Sequence, residues 1–153
     1  MHDNVLLVPV DLAGPTEPVV QMACKLAACF DYAVTLLHVV HLPIGVPPAG
    51  ALPLGLLDTD TARGMLGEEA GQHLETLHAA FHARGVPVSH LVRQGDPAIT
   101  IGEVADEIGA SHIVMGTHGR KGLERALLGS VAERVLRRSG CPLTIVRVRD
   151  TTG

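Results

Sequence analysis

The chain has 153 residues, a net charge of −4, and 46% hydrophobic but only 2% aromatic residues. This length is enough for one domain with a proper core, and we expect residues 1–153 to form that single domain. Because binding of single-stranded nucleic acid relies on exposed aromatic side chains, and because the net charge is acidic, we expect no nucleic-acid partner.

The first part of the chain alternates between strand-like and helical patterns. Residues 5–10 and 33–40 are short apolar runs typical of buried strands, and Pro9, which lacks a ladder donor, indicates the end of the first. Between these runs a helical periodicity predicts a helix. Its apolar face comprises Val19, Val20, Ala23, Leu26, Ala27 and Phe30.

Residues 43–60 interrupt this alternation. They hold four prolines and three glycines, which predicts a long surface loop within the domain. A helix is predicted from about residue 61 to residue 84, and the alternating pattern of residues 86–93 indicates a strand with one less buried face. The stripe of that helix consists of Leu66, Ala70, Leu74, Leu77 and Phe81.

The last part of the chain opens on a strong helix start, where Asp96 is a favourable N-cap and Pro97 a favourable first helical residue. The face of this helix contains Ala98, Ile101, Ala105 and Ile108. Two further strands are predicted at residues 113–115 and 143–148, with a helix between them. Such an alternation predicts an α/β fold, a parallel sheet with helices on both faces.

The most informative motif is Gly116-Thr117-His118-Gly119, followed after nine residues by Gly129-Ser130. It comes directly after a predicted strand and ends where a helix begins. Glycines let a ligand approach the backbone closely, and a helix start favours an anion. The motif therefore predicts a phosphate site.

Two observations near the motif leave alternatives open. Ser130 and Glu133 have the spacing of a capping box, so Ser130 is either a helix cap, a phosphate ligand or both. Eight of the twelve Lys and Arg residues lie between Thr117 and Arg149. A phosphate ligand would account for that concentration, and so would solvated helix faces.

The three cysteines do not form a C-x-x-C pair, which indicates free thiols in a reducing compartment. Cys24 and Cys29 fall in the first helix and are expected to be small core residues. The N-terminus has no basic region followed by an apolar stretch, and no apolar run reaches the ~20 residues of a membrane span. We therefore expect a cytoplasmic protein with no membrane partner.

Nine histidines raise the question of a metal site. His38 and His41 lie at the end of a predicted strand, and His78 and His82 are four residues apart on a predicted helix. A helical pair needs further ligands, which the sequence does not supply at a recognisable spacing. We expect surface or half-buried histidines and no protein metal site.

Several segments together resemble the universal stress protein family. They are the opening VLLVPVD, the second strand LLHVV, the turn GDP and the block VMGTHGRKGLERALLGSVAERVL, whose glycine spacing is that of the ATP-binding subclass. The resemblance covers nearly the whole chain. It implies a single doubly wound, five-stranded parallel sheet of order 3-2-1-4-5, flavodoxin- or Rossmann-like, usually in a dimer and binding ATP in many members.

The resemblance also implies which residues bind the nucleotide. Asp11 falls on the nucleoside side, and in the order 3-2-1-4-5 it lies beside Gly116 at the switch point, where ligands of open α/β sheets bind. Leu12-Ala13-Gly14-Pro15 departs from the family's usual turn there. The adenine is implied to contact Pro9, Val10 and Val39. The phosphates and ribose are implied to contact Gly116, Thr117, His118, Gly119, Gly129, Ser130 and Val131, and Met115 and Arg120 are also expected to bind the nucleotide.

These expectations define a stress-response protein that binds ATP and acts as a nucleotide-dependent switch or adaptor toward an unknown protein partner. Mg²⁺ or Mn²⁺ would be held through the phosphates. Because no candidate base is evident, at most slow hydrolysis is expected. The alternatives are a protein-interaction module without nucleotide and an enzyme such as an ATP-dependent ligase, which would need a further domain. The resemblance implies a homodimer through the edge strand 143–148.

Overall fold

The computed structural model describes residues 4–41, 59–117 and 128–148, with the side chains of 59–66 left undescribed. Strands and helices alternate along these residues. The elements are β1 (Val5–Pro9), α1 (Glu17–Phe30), β2 (Ala33–Val40), α2 (Thr59–His82), β3 (Val88–Gln94), α3 (Pro97–Glu107), β4 (Ala110–Gly116), α4 (Ser130–Arg138) and β5 (Leu143–Val146).

The strands form one five-stranded sheet in the order β3-β2-β1-β4-β5. All four neighbouring pairs are parallel, which confirms the predicted fold class and strand order. The chain winds outward in opposite directions from β1 and β4. The carboxyl ends of these two central strands therefore define a switch point, where a crevice forms in folds of this type.

Aliphatic side chains fill two layers, one on each face of the sheet. Because side chains alternate along a strand, Leu6 and Val8 point to the face covered by α1 and α2, whereas Leu7 points to the face covered by α3 and α4. On the first face they pack with Ala23, Leu74 and Phe81. On the second face Leu7 packs with Ile101, Val104 and Val135. Burial on both faces explains why the central strands are continuous apolar runs.

The ends of several elements differ from the predicted ones. β1 ends at Pro9 and β5 at Val146, short of the predicted residues 10 and 148. β4 begins at Ala110 rather than 113, because Ala110 and His112 pair with β1 although residues 110–112 lack an apolar pattern. α2 begins at Thr59, so residues 59 and 60 of the predicted loop are helical, and residues 43–58 lie outside the described residues.

Two residues of α1 are wrongly predicted as core. Phe30 is 58% exposed and Cys29 is exposed, whereas Cys24 is buried as expected. The helix ends here because Asp31 adopts a left-handed conformation with a φ of 55°. Phe30 therefore lies at the rim, where its ring contacts Tyr32 at a centroid distance of 5.9 Å.

Candidate functional site

A cavity of about 970 Å³ opens at the carboxyl ends of the central strands. Its size is at the upper end of the range of about 300–1,000 Å³ that is typical of ligand pockets. Of the residues predicted for the nucleotide, the described ones all line it; His118, Gly119 and Arg120 lie outside the described residues. The lining includes Pro9, Val10, Asp11, Val39, Met115, Gly116, Thr117, Gly129, Ser130 and Val131.

The N-terminus of α4 forms one wall of the cavity. The N-cap is Gly129, in an extended conformation, and the first helical bond described joins Glu133 N–H to the Gly129 carbonyl. Ser130 is the first residue of the helix and no side chain caps it, so the capping-box interpretation of Ser130 is wrong. The N–H groups of Ser130, Val131 and Ala132 therefore have no intrahelical acceptor, and no acceptor among residues 4–41, 59–117 and 128–148 pairs with them, so they can bind an anion.

An ion pair links α4 to α3 beside this wall. The Arg134 guanidinium donates to Oδ2 of Asp96 at 2.9 Å, and Oδ1 of Asp96 caps α3 by accepting from Ile99 N–H at 3.0 Å. The bond from Arg134, followed by that from Ile99, lowers the pKa of the Asp96 carboxyl. The Asp96 carboxylate therefore caps α3 and also holds α4 beside it. A second ion pair, between Arg137 and Glu133, lies on the solvated surface of α4.

Asp11 lies on the opposite wall, directly after β1. Its Oδ1 accepts a hydrogen bond from Ala13 N–H at 3.0 Å, which holds the carboxylate in a tight turn. The side chain is exposed to the cavity, and within the described residues no group donates to its second oxygen. That oxygen is available to a hydroxyl or amino donor of a ligand.

The backbone of β2 extends past the end of β1. In a parallel sheet the N–H and C=O of one residue point to the same neighbour, and alternate residues point to opposite neighbours. Leu37 C=O accepts from Val10 N–H on the β1 side, whereas Val40 C=O accepts from Gly95 N–H on the β3 side. Val39 therefore directs its N–H and C=O toward the β1 side of β2. Because β1 has already ended at Pro9, these two groups face the cavity that Val39 lines.

Thr117 lines the cavity and makes two hydrogen bonds to the last strand and the residues after it. Its N–H donates to Val146 C=O at 2.9 Å, and its Oγ1 accepts from Val148 N–H at 3.2 Å. The buried hydroxyl thereby ties β4 to the segment after β5. The backbone N–H of Thr117 is already paired, so only its hydroxyl proton remains for a ligand.

Comparison with known proteins identifies the family. The profile of the universal stress protein family matches residues 4–147. The chain belongs to the universal stress protein family. The match covers every element of the sheet and both walls of the cavity.

Relatives of known sequence agree with this assignment. Universal stress protein MJ0531 of Methanocaldococcus jannaschii is 33% identical over 144 residues, which cover 93% of this chain and 81% of that protein. A universal stress protein E homolog of Haemophilus influenzae is 39% identical over 106 residues. In that case the match covers 68% of this chain and only 34% of the relative.

Solved structures share the fold. The hypothetical protein MJ0577 of Methanocaldococcus jannaschii superposes with a TM-score of 0.78 at 24% identity, over 97% of this chain and 98% of that one. A universal stress protein in complex with cAMP has a TM-score of 0.61 at 20% identity, covering 94% and 96% of the two chains. The Archaeoglobus fulgidus protein in complex with dAMP has a TM-score of 0.63 at 21% identity, covering 95% and 99%.

The cavity of this family member also contains residues that sequence reasoning missed. His38 and His41 come from the end of β2, Glu69 and His73 from one face of α2, and Val148 from the segment after β5. The position of His38 and His41 at the carboxyl end of a predicted strand could have indicated that they line the cavity. Glu69 and His73 gave none, because the packing of α2 against the sheet decides which of its faces meets the cavity.

The histidines do not assemble a metal centre in the described part of the chain. No group of three or more His, Cys, Asp or Glu residues is arranged there to hold a metal ion. His78 instead meets His90 of β3, with Nε2 and Nδ1 3.1 Å apart, outside the cavity. Among the helices that the structure describes, none has the length and hydropathy of a membrane span.

Proposed function

We propose that this member of the universal stress protein family binds ATP in the cavity between β1 and β4. In this proposal ATP controls a cytoplasmic switch or adaptor of the stress response, and the protein works as a homodimer with a further protein partner. One observation carries the proposal. The uncapped N-terminus of α4 and the acceptors after β1 face the same cavity.

The two walls suit the two ends of a nucleotide. The N–H groups at the start of α4 and the positive end of its dipole favour the phosphates, and the glycine at the N-cap admits them closely. On the other wall, Val39 offers one backbone donor and one acceptor, which matches the amino group and ring nitrogen at the edge of adenine. Asp11 offers its second oxygen to a hydroxyl of the ribose.

The ligands named for structural neighbours support the same chemistry. One neighbour holds cAMP and another dAMP, and both ligands contain an adenine base and a phosphate. ATP would add phosphates at the α4 end. Mg²⁺ or Mn²⁺ would be bound by those phosphates and by water, because the described residues do not form a protein metal centre.

The proposal assigns slow hydrolysis at most. Phosphoryl transfer requires a positioned water, a metal ion and groups that stabilise the transferring phosphoryl. Asp11 and Thr117 are already engaged in holding a turn and a strand end. We therefore give a switching role to nucleotide binding and no catalytic role to any described residue.

The phosphate half of the proposal is tested at the α4 terminus. ATP should raise the melting temperature of the wild-type protein, and Gly129→Val should abolish this rise because a branched side chain blocks approach to the helix N–H groups. Gly140→Val is the matched control, since Gly140 is exposed and a Cβ there meets nothing within 4 Å. A folded Gly129→Val protein with wild-type affinity would contradict the phosphate assignment.

The nucleoside half is tested at Asp11. Asp11→Asn keeps an oxygen for Ala13 N–H but replaces the second oxygen by an amino group, so the turn is retained and the acceptor is lost. We expect a similar fold-loss in the affinities for ATP and AMP in isothermal titration, because both share the nucleoside. A loss confined to ATP would move Asp11 to the phosphate end. Absence of any ATP binding by the wild type would favour the interaction module instead.

A further inference from the structure

His38 is the first residue of β2 past the paired end of β1. Pro9, the last residue of β1, lies opposite Leu37 in the register of the two strands. His38 is partly buried and lines the cavity. Its Nδ1 lies 3.0 Å from the carbonyl oxygen of Val10.

This contact replaces a rung of the sheet. Val10 N–H donates to Leu37 C=O, and the regular parallel ladder would continue with Val39 N–H donating to Val10 C=O. No such backbone bond forms among the described residues, and the His38 ring occupies the Val10 carbonyl instead. The ring therefore satisfies Val10 and leaves Val39 N–H to the cavity.

The contact also fixes the tautomer of the ring. A carbonyl oxygen only accepts, so Nδ1 must carry the proton that it donates. In a neutral imidazole the other nitrogen, Nε2, is then an acceptor. Within residues 4–41, 59–117 and 128–148, no donor is bonded to Nε2.

We infer that His38 is a specificity-determining residue of the nucleotide site, whose Nε2 accepts a hydrogen bond from a nucleoside donor while Nδ1 braces the Val10 carbonyl. The inference rests on the proposed function of the cavity. It adds a second side-chain acceptor to Asp11 among the residues that line the cavity. The donor is either the 6-amino group of the base or a ribose hydroxyl, which share this chemistry.

The test separates the two nitrogens of the ring. In His38→Asn the short amide places its NH₂ group near the position of Nδ1, so it can still donate to Val10, but it offers no acceptor at the position of Nε2. His38→Ala removes both groups. One ordinary hydrogen bond accounts for about three- to tenfold in affinity, so we expect both variants to lose about that factor for ATP in isothermal titration on the full chain.

The control is His112→Asn. His112 is also partly buried, but its Nε2 bonds to Thr144 Oγ1 at 2.7 Å and it does not line the cavity. ATP affinity should be unchanged in this variant. Melting curves without nucleotide establish that each variant is folded.

Two analogues identify the donor. Inosine triphosphate has a 6-oxo group in place of the 6-amino group, and 2′-deoxy-ATP lacks one ribose hydroxyl. The analogue that lacks the donor to His38 should bind the wild type at least about threefold more weakly than ATP does and should show no further loss in His38→Asn.

The outcomes distinguish this inference from the proposed function. If the wild type binds ATP and His38→Asn binds it equally well, His38 only braces Val10 and the inference is overturned while the proposed function stands. Equal further loss in His38→Asn with ATP, with both analogues and with 3′-deoxy-ATP, which lacks the other ribose hydroxyl, would also overturn it. A wild type that binds no ATP overturns both.

Discussion

Gly95 turns the chain from β3 into α3 with a φ of 150°, a conformation that other residues rarely adopt. A Cβ at this position would lie 2.8 Å from Oγ1 of the buried Thr100. The glycine thus lets Asp96 begin α3 at the edge of the cavity. Its N–H also donates to Val40 C=O, which ties the turn to β2.

This geometry predicts opposite effects for two alanine substitutions. Gly95→Ala should lower the free energy of unfolding by about 1–3 kcal/mol, because both the backbone conformation and the contact with Thr100 are unfavourable. Gly102→Ala, in the middle of α3 with nothing within 4 Å of a new Cβ, should raise it by about 0.5–1 kcal/mol. Urea unfolding measures both, and equal stability of the two variants would contradict the argument.

At the scale of elements, a pair of histidines joins α2 to the edge strand β3. Nε2 of His78 and Nδ1 of His90 are 3.1 Å apart, so one ring donates to the other. Burial lowers the pKa of His78, and the nearby His90 and His82 lower it further, whereas Glu75 acts in the opposite direction.

The direction of the shift sets the pH dependence. Because the folded pKa of His78 lies below the unfolded pKa, the unfolded chain binds more protons between these two values. The stability contributed by the neutral ring is present above the unfolded pKa and is lost as the pH falls through the folded pKa. The free energy of unfolding should therefore decrease as the pH is lowered.

We expect His78→Gln to reduce this pH dependence. A glutamine amide retains a hydrogen-bonding group near the position of Nε2 but does not titrate. Urea unfolding at pH 8 and pH 5 should show a smaller difference for His78→Gln than for the wild type. His82→Gln changes an exposed residue whose side chain makes no hydrogen bond to the described residues, so this variant should keep most of the difference. An unchanged difference in His78→Gln would refute the assignment.

At the scale of the whole molecule, β5 is an edge of the sheet. Pro142 C=O accepts from Ile113 N–H of β4, and Val146 C=O accepts from Thr117 N–H directly after β4. The backbone polar groups of Pro142, Thr144 and Val146 therefore point toward β4. Leu143 and Ile145 therefore present their N–H and C=O groups at the open edge. An open apolar edge favours pairing with another chain.

We predict that Ile145→Pro gives a folded monomer. The substitution removes an outward donor and leaves the inward ladder to β4 intact, whereas Thr144→Pro should damage that ladder and unfold the edge. Light scattering should show a dimer for the wild type and a monomer for Ile145→Pro, with circular dichroism as the check on folding. An unchanged dimer of folded Ile145→Pro would place the interface elsewhere.

The sequence predicted the type and order of the elements because the signals are local. Apolar runs, the Asp96-Pro97 helix start and the glycines before α4 each depend on a few adjacent residues. The strand order came from the family resemblance rather than from periodicity. Element ends were less predictable: β4 begins in a polar segment, and α1 ends where Asp31 becomes left-handed, which leaves Phe30 exposed.

The sequence by itself therefore determined an α/β sheet and a glycine motif that ends at a helix start. Only the tertiary structure decided how the cavity wall is built. The His38 ring contacts the carbonyl of Val10, which lies 28 residues away in the sequence, and Arg134 pairs with Asp96, which lies 38 residues away. Such contacts depend on the register of neighbouring strands and on the packing of one helix beside another, and no local pattern of residues encodes either.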